Sequence, residues 1–519
     1  MRRTVGRAES RPLPQRGTSN AVAVRVIGRI SSGVVLRSLL FVALFSLAAV
    51  PPIDPDLWWH LANGRLMVAT ASIPHADVYS FSAAGQPWVM HEWLADLGMY
   101  GLDRLGGLPL LVATFALMVV AAAGCLYWLL RRSGLSVVGS VLLTMVGALA
   151  GSTAWGARPQ LLNLLLAGLL LIGLRLYRDG RLSPWLLPPF IWLWANLHSA
   201  FLVGIVMVAL FWVGQAYDRR RGDETAVSTP RLRRLAIASG ASVILAAVNP
   251  FGVQALLFAF GTLTSPLIQG NIQEWASPDF HTLPGLLLEA IVVLMLIGLA
   301  TRRVRLPTSD WLLALGLLYL AFSSQRHVPL FVLAAAPVYG RCAQAIQERF
   351  TGVRRAARRP ARNPRLAVGV ANLALLLVAA VGMVAYRALP NLEPAQQRAE
   401  IAASLPVGAT AALQSIGRPM RVFNYYDYGG YLIWTLYPDG GRVFIDGRVE
   451  VYGTRIFGDY LRVNYLAQGW PSVLSRAKAD AIIMPTGHPL TGLLQQDPGW
   501  RQFHRDRVAT VFTRVGFAP

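Results

Sequence analysis

Apolar segments of bilayer length alternate with polar connections along most of this chain, and every second connection is rich in arginine. A membrane-spanning helix needs about 20 mainly apolar residues, and arginines near its ends stay on the cytoplasmic side. The pattern predicts a polytopic α-helical membrane protein with about eleven spans. These are residues 34–52, 108–130, 135–153, 160–177, 184–197, 199–217, 234–249, 283–300, 309–325, 328–343 and 366–387, of which the fifth and tenth are short.

The composition agrees with a membrane protein. Of 519 residues, 54% are hydrophobic and only 14% are charged, whereas soluble domains carry about 25% charged residues. The net charge of +22 would also suit nucleic-acid binding. Because the arginines cluster between apolar segments, topology explains them better, and we expect no nucleic-acid partner. Cys125 and Cys342 both lie in apolar segments, which argues against a disulfide or a cysteine metal site.

The arginine pattern also predicts how the chain is oriented. Residues 1–33 are basic and contain no apolar run, so we interpret them as a disordered cytoplasmic tail. An alternative interpretation of residues 34–50 is a cleaved signal peptide. The transmembrane domain would comprise residues 34–387, and an odd number of spans would leave residues 388–519 outside the cytoplasmic membrane.

The C-terminal residues have no spanning segment and show a mixed pattern typical of an extracytoplasmic α/β domain. Residues 421–423, 442–445, 481–484 and 508–515 indicate strands, and residues 472–479 indicate a helix. About 130 residues suffice for an independent core.

Ionisable residues collect in the connections predicted to lie outside. The first of these, residues 53–107, contains two amphipathic stretches that predict helices lying on the membrane surface. Ionisable groups at a membrane edge are costly unless they serve a site. We therefore expect the functional residues on this face.

The sequence Asp54-Pro55-Asp56 places two carboxylates beside a proline turn. Carboxylate oxygens hold hard divalent cations such as Mg²⁺ or Mn²⁺, and a carboxylate can instead accept a proton from an attacking hydroxyl. We predict Asp54 and Asp56 as catalytic residues, and both of them with Glu274 as ligands if a divalent cation is used. The structural alternative is that Asp54 caps a helix beginning near Leu57.

Other outer residues are candidates for substrate binding. Glu92 and its neighbour would shape an acceptor pocket or complete a metal site, and otherwise they would cap interfacial helices or pair with arginines. His198 is either a ligand or a satisfied residue of the helix bundle. Three cationic groups would suit a lipid-linked phosphate, or else lipid head groups or structural ion pairs. The candidates are His60, His91, Glu92, His198, Arg158, Arg326 and His327.

Two motifs of the C-terminal region complete the candidate set. The aromatic run around Tyr426 and Asp427 offers stacking surfaces that sugars often use, next to two glycines that allow a tight turn. Asp446 and Arg448 flank a glycine after a predicted strand. They either bind substrate or form a turn with an internal ion pair.

These motifs together resemble the C-type glycosyltransferase superfamily (GT-C) of polytopic membrane enzymes. Its members have an acidic motif in the first outer loop, interfacial helices in that loop and often an outer C-terminal domain. The motif residues also look like those of a group of bacterial membrane proteins filed with that superfamily. They are 54–60, 91–93, 274–275 and 446–448.

The resemblance implies a reaction. A polyprenyl-phosphate or polyprenyl-diphosphate sugar would be the donor, and a glycan, lipid or protein would be the acceptor. Asp54 would correspond to the catalytic acid of the first loop, and Arg158 and Arg326 would steady the phosphate as the sugar is transferred with inversion. Members of the superfamily work both with and without a metal ion.

The segment Tyr426-Asp427-Tyr428-Gly429 is similar to the Trp-Trp-Asp-Tyr-Gly motif of oligosaccharyltransferase catalytic subunits, but it lacks both tryptophans. Transfer of a preassembled glycan is therefore a second hypothesis. A third is a transporter or assembly protein of the cell envelope without chemistry. A transporter would place ionisable residues near the bilayer midplane, whereas here they collect at one face.

Overall fold

A computed structural model describes residues 30–263, 266–351 and 366–517. Residues 1–29 of the predicted N-terminal tail lie outside the described residues. The basic loop from Arg354 to Arg365 also lies outside them.

The structure is mostly helical, and each predicted span contains a helix. Six helices are long and apolar enough to cross a membrane by length and composition, so the chain is a helical membrane protein, although eleven complete spans are not confirmed. The six are Trp93–Arg132, Gln160–Arg178, Phe201–Arg220, Leu283–Ala300, Gln325–Phe350 and Leu366–Leu392. The other helices in the span regions are Ser32–Ala48, Val137–Ala150, Leu187–Leu197, Thr229–Ala246 and Thr308–Ser323.

Helix Val328–Thr351 runs through the centre of the bundle, and helices of the bundle approach one another closely at glycines. A Cβ atom on Gly298 would lie 2.2 Å from Cβ of Cys342, and one on Gly168 would lie 2.8 Å from Cβ of Cys125. Both cysteines are buried as small apolar residues at these contacts. Any larger residue at either glycine would push two helices apart.

The first connection, residues 53–107, contains a helix at each of its two amphipathic stretches. The first is Pro55–Thr70. The second is the initial part of Trp93–Arg132, which the structure joins to the following span through a kink at Gly106 and Gly107. Gly107 has a φ of 66°, a value that favours glycine. The kink lets one element change direction from the surface into the bundle.

The C-terminal region contains a five-stranded mixed sheet with the order β2-β1-β3-β5-β4. Strands β1, β2 and β3 are parallel, and β5 is antiparallel to β3 and β4. The strands are β1 Arg421–Asn424, β2 Arg442–Val443, β3 Ala481–Pro485, β4 Trp500–Arg505 and β5 Ala509–Arg514. The main helices of this region are Pro394–Ser404, Val407–Gln414, Gly429–Leu436, Val449–Asn464, Trp470–Ala477 and Pro489–Gln496.

The first outer loop and the C-terminal sheet share one hydrophobic core. The backbone of the loop extends the sheet at β2, where the N–H of Val443 donates to the carbonyl of Tyr79 at 3.1 Å and the N–H of Phe81 donates to the carbonyl of Val443 at 3.0 Å. Helix Gly429–Leu436 packs on Pro55–Thr70 so closely that a Cβ on Gly430 would lie 2.2 Å from the carbonyl oxygen of Pro55. The two regions therefore form one packed unit above the bundle.

Candidate active site

Asp54 and Asp56 lie at the start of helix Pro55–Thr70, where the sequence provides both a cap and a fixed first turn. Asp54 Oδ1 accepts the backbone N–H of Asp56 at 2.9 Å, so Asp54 is the N-cap, and Pro55 is the first helical residue. Asp56 Oδ1 accepts the indole N–H of Trp59 at 3.0 Å. The capping alternative is thus correct for Asp54, and each carboxylate keeps its second oxygen for other partners.

Those second oxygens meet a cation from a different part of the chain. Arg158 directly precedes Pro159 and helix Gln160–Arg178, and its Nε lies 2.8 Å from Asp54 Oδ2. Its Nη1 lies 3.5 Å from Asp56 Oδ2 and also bonds to Glu274 Oε1. We call Asp54, Asp56, Arg158 and Glu274 the carboxylate cluster. The structure brings together the three predicted metal ligands, but around an arginine.

Burial and neighbouring charges act on this cluster in opposite directions. Burial raises the pKa of Asp54 above its ordinary value, and burial together with the charge of Asp54 raises the pKa of Asp56 to about 6. Burial also opposes ionisation of Glu274, but the positive charges of Arg158 and Arg326 lower its pKa below the ordinary value. Asp56 therefore keeps its proton to a higher pH than an ordinary aspartate does.

A second cluster forms around the buried carboxylate of Glu92, which we call the imidazole cluster. Its Oε1 lies 3.0 Å from Nε2 of His198 and 3.6 Å from Nε2 of His91, and its Oε2 lies 3.8 Å from Nε2 of His60. His60 Nδ1 in turn lies 2.6 Å from Asp96 Oδ1. Burial opposes ionisation of Glu92, but His91 and then His198 lower its pKa well below the ordinary value.

Ligand atoms of His91, Glu92 and His198 all lie within 4.8 Å of one another, close enough to hold a metal ion. The hydrogen bond of His198 argues against this use. Nδ1 of His198 accepts the N–H of Ala200 at 3.0 Å, so the neutral ring carries its proton on Nε2, which faces Glu92. A metal ion on Nε2 would have to displace that proton. The imidazole cluster is thus a network of close charged contacts and hydrogen bonds, in which both ring nitrogens of His198 have partners.

Arg326 lies between the two clusters. Its guanidinium is stacked over the Trp275 ring, 4.5 Å from the centroid, and the charges that act on it most strongly are those of Glu274 and Glu92. Within residues 30–263, 266–351 and 366–517 it has no carboxylate within ion-pair distance. The adjacent His327 likewise pairs with neither cluster in that part of the chain. Arg326 is therefore a cation near both clusters that, among the described residues, has no ion-paired carboxylate.

The C-terminal region packs against Asp56 at Gly447, a residue without a side chain. A Cβ on Gly447 would lie 2.0 Å from Asp56 Oδ1, so no other residue fits there without moving the carboxylate. The hydroxyl of Tyr426 lies 3.5 Å from the carbonyl oxygen of Gly447. The side chain of Asp427 lies nearby and is partly exposed to solvent. Its remaining burial and the charge of Asp56 raise the pKa of its carboxyl group. Both aromatic-motif residues thus border the carboxylate cluster.

Asp446 and Arg448 are placed differently from the other candidates, because both are completely buried. Arg448 donates from Nε to Asp446 Oδ1 at 2.8 Å and from Nη2 to Oδ2 at 2.6 Å, and its Nη1 lies 2.9 Å from Asp77 Oδ1. Its guanidinium also faces the rings of Tyr79 and Trp88. The two residues form the internal ion pair, and the contact with Asp77 joins the first loop to the sheet region.

Sequence reasoning missed Glu450, on helix Val449–Asn464. Burial raises the pKa of its carboxyl group, and the charge that most opposes this shift is that of His91. Tyr426 and Glu92 also interact with it electrostatically. The only available signal was its position two residues after Arg448, in a motif that gave no reason to single it out.

Solved structures share this arrangement of helices and outer domain. An oligosaccharyltransferase of Archaeoglobus fulgidus, tethered with an acceptor peptide containing an NVT sequon, matches over 87% of this chain and 69% of its own, with a TM-score of 0.51 and 13% identity. AglB from the same organism, in complex with an inhibitory peptide and a dolichol-phosphate, matches with the same coverage and TM-score at 12% identity.

ArnT from Cupriavidus metallidurans, bound to undecaprenyl phosphate, covers 97% of this chain and 99% of its own at 16% identity, but its TM-score of 0.47 is too low to carry an argument. No family model and no curated protein matches the chain by sequence. The two archaeal neighbours are GT-C glycosyltransferases, the superfamily that the motifs resemble. At these identities, the likeness to the archaeal enzymes concerns the fold alone.

Proposed function

We propose that this protein is a membrane glycosyltransferase that moves a sugar from a polyprenyl-phosphate-linked donor to an acceptor hydroxyl. The observation that carries the proposal is the convergence of Asp54, Asp56 and Glu274 beside Arg326, a cation without an ion-pair partner in the described chain. A carboxylate for the acceptor and a cation for the phosphate are the two groups that such a transfer requires.

In the proposed reaction, Asp56 accepts the proton of the acceptor hydroxyl as its oxygen attacks the anomeric carbon. The bond between that carbon and the phosphate oxygen breaks, and the lipid phosphate leaves with the bonding electrons while the sugar inverts. Arg326 would stabilise the charge that develops on the phosphate. Asp54 would orient Asp56, because Asp54 Oδ1 accepts the backbone N–H of Asp56 at 2.9 Å.

The proposed location is the outer face of the cytoplasmic membrane. The arginine-rich connections would then face the cytoplasm and the packed unit of first loop and sheet would lie outside. Tyr426 and Asp427, which border the cluster from the sheet side, would contact the acceptor. A reporter fused to residue 519 should be active on the extracytoplasmic side.

A second candidate is transfer of a preassembled glycan, as in an oligosaccharyltransferase. It is favoured by the fold match to the archaeal enzyme, whose structure holds an acceptor peptide. The donor distinguishes the two candidates. A single sugar on a lipid phosphate would serve the first reaction, whereas an oligosaccharide on a lipid diphosphate would serve the second.

Transfer from radiolabelled lipid-linked donors tests the proposal with purified protein. Wild type should form a labelled product from one donor class, and Asp56→Asn should not. Asp459→Asn is the matched control, because Asp459 lies on helix Val449–Asn464 and pairs only with Arg462 and Arg476 among the described residues. Equal transfer by wild type and Asp56→Asn would overturn the assignment, and no transfer from any donor would favour an assembly or transport role.

A further inference from the structure

We propose that Arg158 is the resident cation of the carboxylate cluster and takes the place that a divalent metal ion would occupy. The inference rests on the proposed function only where it concerns catalysis. Its structural part concerns what the carboxylates bind, and that part can be tested without turnover.

The three carboxylates predicted to hold a metal ion already share one cation. The Arg158 fork places Nε 2.8 Å from Asp54 Oδ2 and Nη1 3.5 Å from Asp56 Oδ2, and Nη1 also bonds to Glu274 Oε1. A guanidinium has five N–H donors in a planar array and keeps its charge at any physiological pH. It can therefore neutralise several carboxylates at once, as a metal ion does.

A divalent ion and this guanidinium exclude each other. Oxygen ligands lie about 2.0–2.6 Å from Mg²⁺ or Ca²⁺, so an ion bound to Asp54 Oδ2 and Glu274 Oε1 would need the space that Arg158 fills. Two cations at such separation also repel strongly. The residues present therefore do not fit a metal ion while Arg158 stays in place.

The surrounding chain holds Arg158 in this position. Pro159 follows it directly and begins the turn into helix Gln160–Arg178, and Gln160 donates from Nε2 to Glu274 Oε2 at 3.2 Å. Glu274 is fixed from the other side, because the hydroxyl of Ser324 donates to its backbone carbonyl at 2.8 Å. The cluster is tied together by three separate connections of the bundle.

Arg158 and Arg326 then have different roles. Arg158 balances the carboxylates, which leaves Arg326, stacked on Trp275, free to meet the substrate phosphate. Arg158 is then a positioning residue and makes no contact with phosphate. The earlier expectation that both arginines steady the phosphate would apply to Arg326 alone.

Binding of Mn²⁺ to the purified full-length protein, after removal of metals with EDTA, tests the proposal by electron paramagnetic resonance. Wild type and Asp54→Asn should give the same result, with no Mn²⁺ site that depends on Asp54. Arg158→Ala should gain about one site per chain, at least tenfold tighter than any site in wild type, because three carboxylates lose their partner. Asp54→Asn in the Arg158→Ala background should remove that site.

Arg132→Ala is the control, since Arg132 pairs with the single carboxylate of Asp179 elsewhere in the chain. It should gain no site. A wild-type Mn²⁺ site that Asp54→Asn abolishes would overturn the proposal, as would a folded Arg158→Ala protein without a new site. If Arg158→Ala does not fold, the comparison of wild type with Asp54→Asn still decides whether a metal binds there.

Turnover provides a second readout. Sugar transfer by wild type should be the same within about twofold with EDTA and with added Mg²⁺ or Mn²⁺. Loss of transfer in EDTA, restored by Mn²⁺, would contradict a resident arginine. Absence of transfer under all conditions would count against the proposed function and would leave the result of Mn²⁺ binding as the test of Arg158.

Discussion

Two arginine–carboxylate clusters in this protein use the same groups in different ways. Around Arg448, the side chains of Asp446 and Asp77 are fully buried and aromatic rings cover the guanidinium. Around Arg158, three carboxylates share one guanidinium, and their side chains are 19–29% exposed. The first cluster is buried and has two carboxylates for one guanidinium, whereas the second has three carboxylates for one guanidinium and is partly exposed to a ligand.

The difference shows how a structural ion pair can be told from a functional one. At Arg448, hydrogen bonds satisfy both oxygens of Asp446, and the hydroxyl of Tyr452 adds a further bond. At Asp56, burial and a like charge raise the pKa to about 6, which is costly for stability and useful for proton transfer. Exposure and the larger excess of carboxylates therefore favour the carboxylate cluster as the candidate site.

The largest effect on the fold is expected at Arg448. Arg448→Ala would leave the carboxylates of Asp446 and Asp77 buried without their partner, which costs about 3–5 kcal/mol. Thermal unfolding of the purified protein in detergent measures this loss. Arg421→Ala, which breaks the surface pair with Asp480, should cost no more than about 1 kcal/mol. Equal unfolding temperatures for the two variants would show that the Arg448 cluster is not structural.

The next effect is expected at Arg326, the cation that lies between the clusters. Arg326→Ala should lower the transfer rate about 10²–10³-fold, because one preorganised charge facing the phosphate is lost. Arg326→Lys should fall between that variant and wild type, since it keeps the charge without the fork. Arg303→Ala, on an exposed connection, is the control. Full activity of Arg326→Ala would remove Arg326 from the site.

The pH dependence of transfer should reflect the raised pKa of Asp56 in the carboxylate cluster. A proton acceptor must be ionised, and the pKa of Asp56 lies near 6, so kcat/KM should be constant above about pH 7 and fall about tenfold per pH unit below pH 6. A profile measured from pH 4.5 to 8.5 would show this limb. A limb near pH 4 would indicate that an ordinary carboxylate, and not Asp56, accepts the proton.

The smallest effect is expected at Tyr426, where the C-terminal region borders the carboxylate cluster. Tyr426→Phe removes a long hydrogen bond of 3.5 Å to the carbonyl of Gly447, which corresponds to about 1 kcal/mol or less. Transfer should change by no more than about fivefold, mainly in KM for the acceptor. Tyr465→Phe, at an exposed position, should change nothing. A loss as large as that of Arg326→Ala would place Tyr426 in the catalytic machinery.

The sequence predicted much of the fold because its signals are long and repeated. Each predicted span contains a helix, and both amphipathic stretches of the first loop are helical. Strand Trp500–Arg505 was missed because it lies at the sheet edge, where exposed residues such as Arg501 and Gln502 replace the apolar pattern of an inner strand. Strand Arg442–Val443 is shorter than predicted, and the chain after it turns toward Asp446.

The candidate site was only partly predictable. Ionisable residues at one face indicated that Asp54, Glu92 and Arg326 would gather, since such groups are costly elsewhere. The sequence could not indicate that Arg158 would enter the carboxylate cluster, because that depends on how three distant connections meet. It also could not decide between a substrate-binding and a structural role for Asp446 and Arg448, whose burial follows from packing against the first loop.

One paired measurement tests the contrast between the clusters most directly: transfer rate and thermal unfolding of Asp56→Asn and Asp446→Asn, purified side by side. The account predicts that Asp56→Asn loses about 10²–10⁴-fold in transfer and unfolds within about 1 kcal/mol of wild type. It predicts that Asp446→Asn loses about 3–5 kcal/mol of stability. An active Asp56→Asn protein, or an Asp446→Asn protein as stable as wild type, would contradict the account.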